Sequence, residues 1–238
     1  RRVLIMQEDA LGSDHENVAS TYLSIGLVLG AKGETDESLD NLKRALKIQE
    51  SLLGSEHLKV AETRAEIGHM LIKKGDFAGA LDEFRDAQKI RESKLGKEHF
   101  LVIKSLQDIG RVLRELGEYK SSEAEFRRAL KIQEAVLGDV HNDVAVTQAM
   151  IGTTLCQYGD FGKAMESHRL ALQIRETNLG KNHPLTAVSH TDVGVVLCQK
   201  GDFDVAEWRH KKALRIREAV LGKEDEECAV SLIHLGNV

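Results

Sequence analysis

Residues 44–54 read RALKIQESLLG, and residues 128–138 read RALKIQEAVLG. The Leu-Gly pair that ends both strings recurs at a spacing of 42 residues (Leu11 to Leu53, for example) with no insertion. Its copies are Leu11-Gly12, Leu53-Gly54, Leu95-Gly96, Leu137-Gly138, Leu179-Gly180 and Leu221-Gly222. A fixed period of this size indicates a solenoid, in which each repeat buries its apolar face only against its neighbours.

The register divides the chain into five complete repeats and two partial ones. Arg1–Leu4 aligns with Lys43–Leu46, so the chain opens on the end of a second helix, and we expect the sequence to be part of a longer array. The predicted segments are 1–11 (the second helix of a preceding repeat), 12–53 (repeat 1), 54–95 (repeat 2), 96–137 (repeat 3), 138–179 (repeat 4), 180–221 (repeat 5) and 222–238 (the first helix of a truncated repeat).

Repeat 3 predicts two antiparallel helices, over about 100–116 and about 121–137. In the first, Leu106, Ile109, Gly110 and Leu113 have the i, i+3, i+4, i+7 spacing that places residues on one helical face. Because glycine costs about 1 kcal/mol within a helix, the recurrence of the Gly110 position indicates a close helix crossing. A second recurring glycine, Gly33 and its equivalents, falls where the first helix should end in the left-handed conformation.

These columns carry a family resemblance. Ile25-Gly26, Gly33 and Ala45, with their equivalents, resemble the pattern of tetratricopeptide repeats, although the repeat is longer than the usual 34 residues. The string RALKIQE followed by Leu-Gly and a histidine is similar to the 42-residue repeats of kinesin light chains, and similar units occur in signalling ATPases and scaffold proteins. The resemblance implies an all-α fold, a right-handed α-solenoid of antiparallel helix pairs, that acts as a non-catalytic protein-protein interaction scaffold.

Composition limits the other function classes. The formal net charge of -5 comes from well-mixed charged residues, so we expect neither a nucleic-acid nor a membrane partner. Three cysteines without a paired framework, and no secretory signal, favour the cytoplasm. Phosphate-loop, nucleophile-elbow, His-Glu-x-x-His and clustered-cysteine motifs are absent from the sequence, so we expect no enzyme activity, cofactor or metal.

One column imitates a metal site. A histidine recurs once in each repeat, but equivalent positions of stacked repeats lie roughly 10 Å apart and cannot share an ion. We therefore expect each histidine to cap a first helix, and Asp76, Asp160 and Asp202 to cap second helices. Trp208 is expected in packing or on the outer surface. The histidines are His15, His57, His99, His141 and His183.

The first helices are predicted to line a concave groove, where repeat-equivalent positions differ in chemistry. Lys104, Arg111 and Arg114 fall on one helical face and form a basic spot suited to a carboxylate or phosphate; alternatively, Asp108 and Glu115 balance a solvated face. Repeats 4 and 5 offer a more apolar stretch. The predicted partner-binding residues are Lys104, Gln107, Asp108, Arg111, Arg114, Glu62, His69, Lys73, Val146, Ala149, Thr153, Val188, Thr191 and Val195.

The expected partner is a protein or linear peptide, acidic with apolar anchors. The paired asparagines with which kinesin light chains grip cargo are replaced here, for example by Gln107-Asp108 and Thr191-Asp192, so those contacts do not carry over. Two alternatives to an interaction scaffold remain at this point. The chain is a sensor or regulatory segment of a larger signalling ATPase, or it is a purely architectural spacer.

Overall fold

A computed structural model describes residues 2–236, which contain twelve α-helices and no strand. The helices form two compact bodies, an N-terminal body that ends at Glu118 and a C-terminal body that begins at Tyr119. The N-terminal body holds α1 (Arg2–Leu11), α2 (Glu16–Lys32), α3 (Thr35–Leu53), α4 (Leu58–Lys74), α5 (Phe77–Leu95) and α6 (Phe100–Glu115). The C-terminal body holds α7 (Tyr119–Leu137), α8 (Asn142–Tyr158), α9 (Phe161–Leu179), α10 (Pro184–Lys200), α11 (Phe203–Leu221) and α12 (Glu226–Gly236).

The predicted all-α fold of antiparallel helix pairs is confirmed. Within the N-terminal body α2 packs on α3 and α4 on α5, and within the C-terminal body α8 packs on α9 and α10 on α11. Each second helix also packs on the first helix that follows it in the same body, as α3 does on α4 and α9 on α10. The apolar core therefore runs from repeat to repeat inside each body, as in the cluster of Leu42, Ile67, Phe84 and Leu113.

Both glycine columns have the predicted roles. Gly33 has a φ of 85°, ends α2 and donates its N–H to the Gly30 carbonyl. A Cβ added at Gly68 would lie 2.8 Å from Cζ of Phe84, which is closer than two carbon atoms can approach. The Gly33 column therefore ends first helices, and the Gly68 column lets a large side chain of the second helix lie directly against the first helix.

The histidine column consists of helix caps. In all five copies the histidine Nδ1 accepts a hydrogen bond from the backbone N–H two residues later, at 3.1–3.2 Å. Asp225 has the same role before α12, where its Oδ1 accepts from Glu227 N at 2.9 Å. Each cap satisfies one of the N–H groups that a helix start leaves without a partner.

The aspartate caps of the second helices are confirmed for two of three positions. Asp76 accepts from Gly79 N and Asp160 accepts from Lys163 N. Asp202 lies at the N-cap of α11 but makes no side-chain cap hydrogen bond, so that part of the prediction was wrong. Helix α7 begins at Tyr119, two residues earlier than expected. Tyr119 directly follows Glu118, which is the repeat equivalent of Asp76, and the second helices of the other complete repeats also begin at the residue after this position.

A polar pair, buried in every copy except Gln7–Thr21, joins each second helix to the next first helix. The partners of this pair are always 14 residues apart, and at that spacing glutamine pairs with threonine and arginine pairs with serine. The threonine hydroxyl donates to the glutamine amide oxygen, but the serine hydroxyl accepts from the arginine guanidinium. The pairs are Gln7–Thr21 (2.6 Å), Gln49–Thr63 (2.7 Å), Arg91–Ser105 (2.7 Å), Gln133–Thr147 (2.6 Å), Arg175–Ser189 (2.7 Å) and Arg217–Ser231 (2.5 Å).

Two of the three arginine versions of this pair have a carboxylate 17 residues later, whereas Arg217 has His234 at that position. Burial lowers the pKa of Arg91 and of Arg175, and the charges of Asp108 and Asp192, each 17 residues later, oppose that effect. Met150 stands at the corresponding position after Gln133, where the buried side chain is neutral. A buried cation therefore occurs together with a compensating anion in these two junctions.

The substitution Gln133→Arg tests this dependence. We expect it to lower the free energy of unfolding by about 3 kcal/mol, because it buries a guanidinium beside Met150 instead of a carboxylate. The double variant Gln133→Arg/Met150→Asp should be more stable, by at least about 1 kcal/mol in its free energy of unfolding, than the sum of the two single effects predicts. Urea denaturation followed by circular dichroism measures both quantities. Gln173→Arg, at an exposed position of α9, is the matched control, and simple additivity of Gln133→Arg and Met150→Asp would contradict the argument.

The substitution His57→Ala tests the histidine cap. Loss of the acceptor for Lys59 N should lower the free energy of unfolding by about 1 kcal/mol. His57→Asp should retain most of that stability, because Asp225 makes the same cap in this chain. Thermal and urea melts give the comparison. Equal destabilisation by alanine and by aspartate would show that His57 acts through packing and not as a cap.

Candidate functional site

The fourteen predicted partner-binding residues all lie on first helices, namely α4, α6, α8 and α10, but they differ in accessibility. The exposed ones are Glu62, Lys73, Lys104 and Arg111. The half-buried ones are His69, Gln107, Arg114, Val146, Ala149, Thr153, Val188 and Val195. Asp108 and Thr191 are buried, with 1% and 7% of their surface exposed, so neither offers its side chain to a partner in this structure.

The N-terminal body holds a cleft that brings four of these residues together. It has a volume of about 590 Å³ and is lined by α4 and α6, with Phe77 from α5. Its apolar lining is Met70, Ile72, Phe77 and Val112. His69, Lys73, Arg111 and Arg114 supply basic groups beside that lining, and Glu115 supplies one carboxylate.

Carboxylates hold both arginines of the cleft. Arg111 makes an ion pair with the buried Asp108, and Arg114 Nη2 lies 3.4 Å from Glu115 Oε1. Asp108 and Glu115 therefore pair with the two arginines, but Asp108 is buried and does not belong to a solvated face. Arg111 nevertheless keeps 45% of its side chain exposed, so one edge of its guanidinium remains open to a ligand.

The other two basic groups of the cleft have distinct states. Lys73 Nζ donates to the Gly30 carbonyl oxygen at 2.8 Å, which ties α4 to α2. Burial lowers the pKa of His69, and the Asp108 carboxylate, 3.8 Å from Nε2, opposes that effect. His69 is thus a neutral imidazole at pH 7 and acts as a hydrogen-bonding group, while the positive charge of the cleft comes from lysine and arginine.

The corresponding surface of the C-terminal body is largely apolar. Val146 and Ala149 on α8 and Val188 and Val195 on α10 are half-buried, and the two helices contact each other. Thr191, between the two valines, accepts a hydrogen bond from the buried Arg217 at 3.1 Å. Its role is therefore structural.

A set of buried histidines in the C-terminal body was not predicted from the sequence. The side chain that covers the first-helix glycine is Leu42 in repeat 1 and Phe84 in repeat 2, but it is His168 in repeat 4 and His210 in repeat 5. Comparing this column across the repeats could have found the change.

Each of these imidazoles has polar neighbours. His168 Nδ1 lies 3.9 Å from Asp192 Oδ2, and His210 stacks on His234 at 5.2 Å between ring centroids, with Cys198 Sγ 4.0 Å from its Nε2. A third buried imidazole, that of His190, accepts from Arg209 at its Nδ1 (3.1 Å).

Burial shifts the protonation of this group. It lowers the pKa of His168, His190 and His210 to about 4, with smaller contributions from nearby cations such as Arg175 for His168 and His234 for His210. It also raises the pKa of Asp192 to about 6, against the effect of Arg175 and Arg217. The interior of the C-terminal body is therefore neutral at the three histidines near pH 7.

Residues 2–236 contain neither a metal-binding cluster nor a membrane-spanning helix. Among these residues, no three or more histidine, cysteine, aspartate or glutamate side chains are grouped so that they could hold a metal ion. None of the helices described here is both long and apolar enough to cross a membrane. Cys156, Cys198 and Cys228 are free thiols, and burial raises the pKa of each, so they are protonated near pH 7.

The comparisons agree with this architecture. The sequence model of the Tetratricopeptide repeat matches residues 17–93, 59–135, 101–177 and 143–219, in steps of one repeat. No curated protein sequence matches the chain.

Several solved structures have the same fold. The chain resembles nearly identical TPR-like repeats ascribed to a kinesin light chain of Podosopora anserina, with a TM-score of 0.77, 17% identity and coverage of 87% of this chain and 98% of that one. It also resembles BtubC (BKLC) from P. vanneervenii, with a TM-score of 0.74, 20% identity and coverage of 89% and 84%. The apo form of RapI gives a TM-score of 0.78 at 16% identity, with coverage of 98% of this chain and 62% of RapI. These matches confirm the resemblance read from the repeat.

The buried histidines predict acid sensitivity. Their unfolded pKa is near 6.5 and their folded pKa is about 4, so the unfolded state binds more protons and stability falls as pH drops from 6.5 to 4. Asp192, whose folded pKa is raised, binds its proton in the folded state first and offsets part of this loss.

The variant His168→Phe/His210→Phe, which installs the aromatic residue of repeats 2 and 3, tests this. Between pH 6.5 and 4, its free energy of unfolding should fall by about 2 kcal/mol less per replaced histidine than that of the parent chain. Urea melts at several pH values measure the difference. His15→Phe, at an exposed cap, is the control for added aromatic surface, and parallel pH profiles of the parent and the double variant would refute the assignment.

Proposed function

The chain belongs to the tetratricopeptide repeat family, and we propose that it is a non-catalytic scaffold that binds a linear segment of a partner protein along its first helices. Repeats of this family typically mediate protein-protein interaction. The observation that carries the proposal is the cleft between α4 and α6, where apolar and basic side chains line one cavity of about 590 Å³. In the proposed complex this cleft is part of the concave groove that the first helices line.

The chemistry of the cleft favours an acidic segment with apolar anchors. The half-buried Ile72 and Phe77, which lie over the buried Met70 and Val112, offer an apolar surface for one or two side chains of the ligand. Arg111 and Arg114 lie beside that surface, and their planar guanidinium groups suit bidentate contact with a carboxylate. Asp108 holds Arg111 from below, so less side-chain freedom is lost when a ligand binds.

The apolar surface of α8 and α10 supports a further contact. Val146, Ala149, Val188 and Val195 are half-buried neighbours on one face of the C-terminal body. We propose that they receive apolar anchors of a partner segment, with Thr153 at the edge of the patch. Glu62, Lys104 and Gln107 are proposed to contribute polar contacts in the N-terminal body.

The three free thiols favour a reducing compartment, which supports a cytoplasmic location. A sensor segment of a larger signalling protein would use the same first-helix surface. An architectural spacer, in contrast, would have no saturable ligand there.

The charge reversal Arg111→Glu/Arg114→Glu tests the proposal. Peptides that combine glutamates with one or two leucines are first selected from an immobilised array, and the dissociation constant of the best soluble peptide is then measured by isothermal titration calorimetry. We expect at least about 30-fold weaker binding, which corresponds to the 2 kcal/mol of a binding hot spot.

The matched control is Arg127→Glu/Arg128→Glu, which changes the net charge equally on the second helix α7. It should leave the dissociation constant within about twofold. If Arg111→Glu/Arg114→Glu binds the peptide as tightly as the parent chain does, the cleft is not the binding site. If no peptide is selected from the array, the result favours an architectural spacer.

A further inference from the structure

Two equivalent junctions between repeats, in repeats 2 and 5, hold polar clusters of different charge. A glutamate recurs at its fixed position, as Glu50 or Glu176, whereas the three neighbouring positions vary. In repeat 2 the centre is Arg64, whose guanidinium lies 2.8 Å from Glu50, 2.8 Å from Glu83 and 3.6 Å from Asp86. Three carboxylates thus surround one cation, and the surface of this junction is acidic.

The equivalent junction in repeat 5 has the opposite charge. The same four positions hold Glu176, His190, Arg209 and Lys212. Arg209 Nη1 lies 3.1 Å from His190 Nδ1, and Glu176 Oε1 lies 3.7 Å from both His190 Nε2 and Lys212 Nζ. Two cations now face one carboxylate, because a neutral histidine has replaced the central arginine and two cations have replaced two acids.

An exposed tryptophan lies on this basic junction. Trp208 is the single tryptophan of the chain and has 53% of its surface exposed. Arg209 Cζ lies 4.9 Å and Lys212 Nζ 5.5 Å from the centre of its ring, and Val205, one helical turn earlier, is also exposed. The repeat-equivalent residues are Asp40, Asp82, Ala124 and Glu166. Only repeat 5 therefore presents a large apolar side chain at this position.

Polar atoms at this junction lack hydrogen bonds. His190 has none of its surface exposed, and its Nε2 is buried without a hydrogen-bond partner, as is Nε of Arg209. Burial lowers the pKa of Arg209, and the nearby charge of Arg169 lowers it further. A buried donor without a partner is unfavourable, so the junction does not satisfy its own polar groups. The groups that an anion can reach are the half-buried Arg209 and Lys212 and the exposed Arg169.

We propose that Trp208, Arg209 and Lys212 form a second docking site, on the second helices of the C-terminal body, for an acidic segment of a partner protein. Carboxylates of the segment bind Arg209, Lys212 and Arg169, and an apolar side chain packs on Trp208 and Val205. Tryptophan and arginine are the residue types that dominate binding hot spots. The charge of the junction selects an acidic ligand over a basic one.

This site is separate from the proposed first-helix cleft, since it uses other helices and none of the cleft residues. Trp208 fluorescence reports on it directly, because no other tryptophan contributes to the emission. The full chain is titrated with a ten-residue peptide of glutamate and leucine and, separately, with its lysine and leucine counterpart. We expect a saturable change in emission with the acidic peptide alone, weakened at least tenfold as salt rises from 50 to 500 mM.

The variant Arg209→Gln/Lys212→Gln should weaken this binding at least tenfold while Trp208 still reports. Lys181→Gln/Lys200→Gln removes two exposed cations elsewhere in the same body and should change it less than twofold. Arg111→Glu/Arg114→Glu should leave the Trp208 titration unchanged, so failure of the first-helix proposal is distinguishable. Three outcomes would each overturn the proposal. They are no saturable change in emission, equal binding by Arg209→Gln/Lys212→Gln and the parent chain, and an emission change that depends on protein concentration without peptide. The last outcome would identify a second copy of the chain as the occupant.

Discussion

The buried hydrogen bond between each second helix and the next first helix is the interaction on which the two bodies depend. It fixes the register of adjacent repeats, because a buried hydroxyl that slides away from its partner loses a bond that water cannot replace. Gln49 with Thr63 and Arg91 with Ser105 meet this requirement with opposite donors. Apolar contacts alone are less directional, so this pair explains how repeats of different composition keep one geometry.

The fold could be predicted because its determinants recur with the period. Gly33 has a left-handed backbone, and Gly68 makes a contact that leaves no room for a Cβ. Glycine recurs at the equivalent positions of other repeats, so the sequence shows both requirements. The histidine caps could be predicted in the same way, because the histidines recur with the period and their spacing excludes a shared metal ion. Asp202 shows the limit: an aspartate at the right position makes no cap bond, because position alone does not orient a side chain.

The candidate sites were less predictable because they depend on side chains from several helices. Helical spacing placed Arg111 and Arg114 together, but it did not show that Asp108, on the same helix, is buried beneath Arg111. The basic junction at Trp208 arises from α9, α10 and α11 together, so no single helix reveals it. Repeat-equivalent positions that determine packing can be recognised in one sequence. The combinations of side chains that form a binding surface come from several helices and are seen only in the structure.

The buried pair between α5 and α6 also bears on the charge of the proposed binding surface. Arg91 is the arginine version of the pair, and its junction includes a carboxylate, Asp108, whose charge opposes the effect of burial. Asp108 lies on a first helix, and it holds Arg111 at the edge of the cleft. A buried arginine is not sufficient for a basic surface, because Arg175 and Asp192 repeat this interior arrangement but Val195 stands where Arg111 does. The interior column therefore joins the repeats, whereas the residue on the outer face of the first helix decides whether a buried acid presents a cation to a ligand.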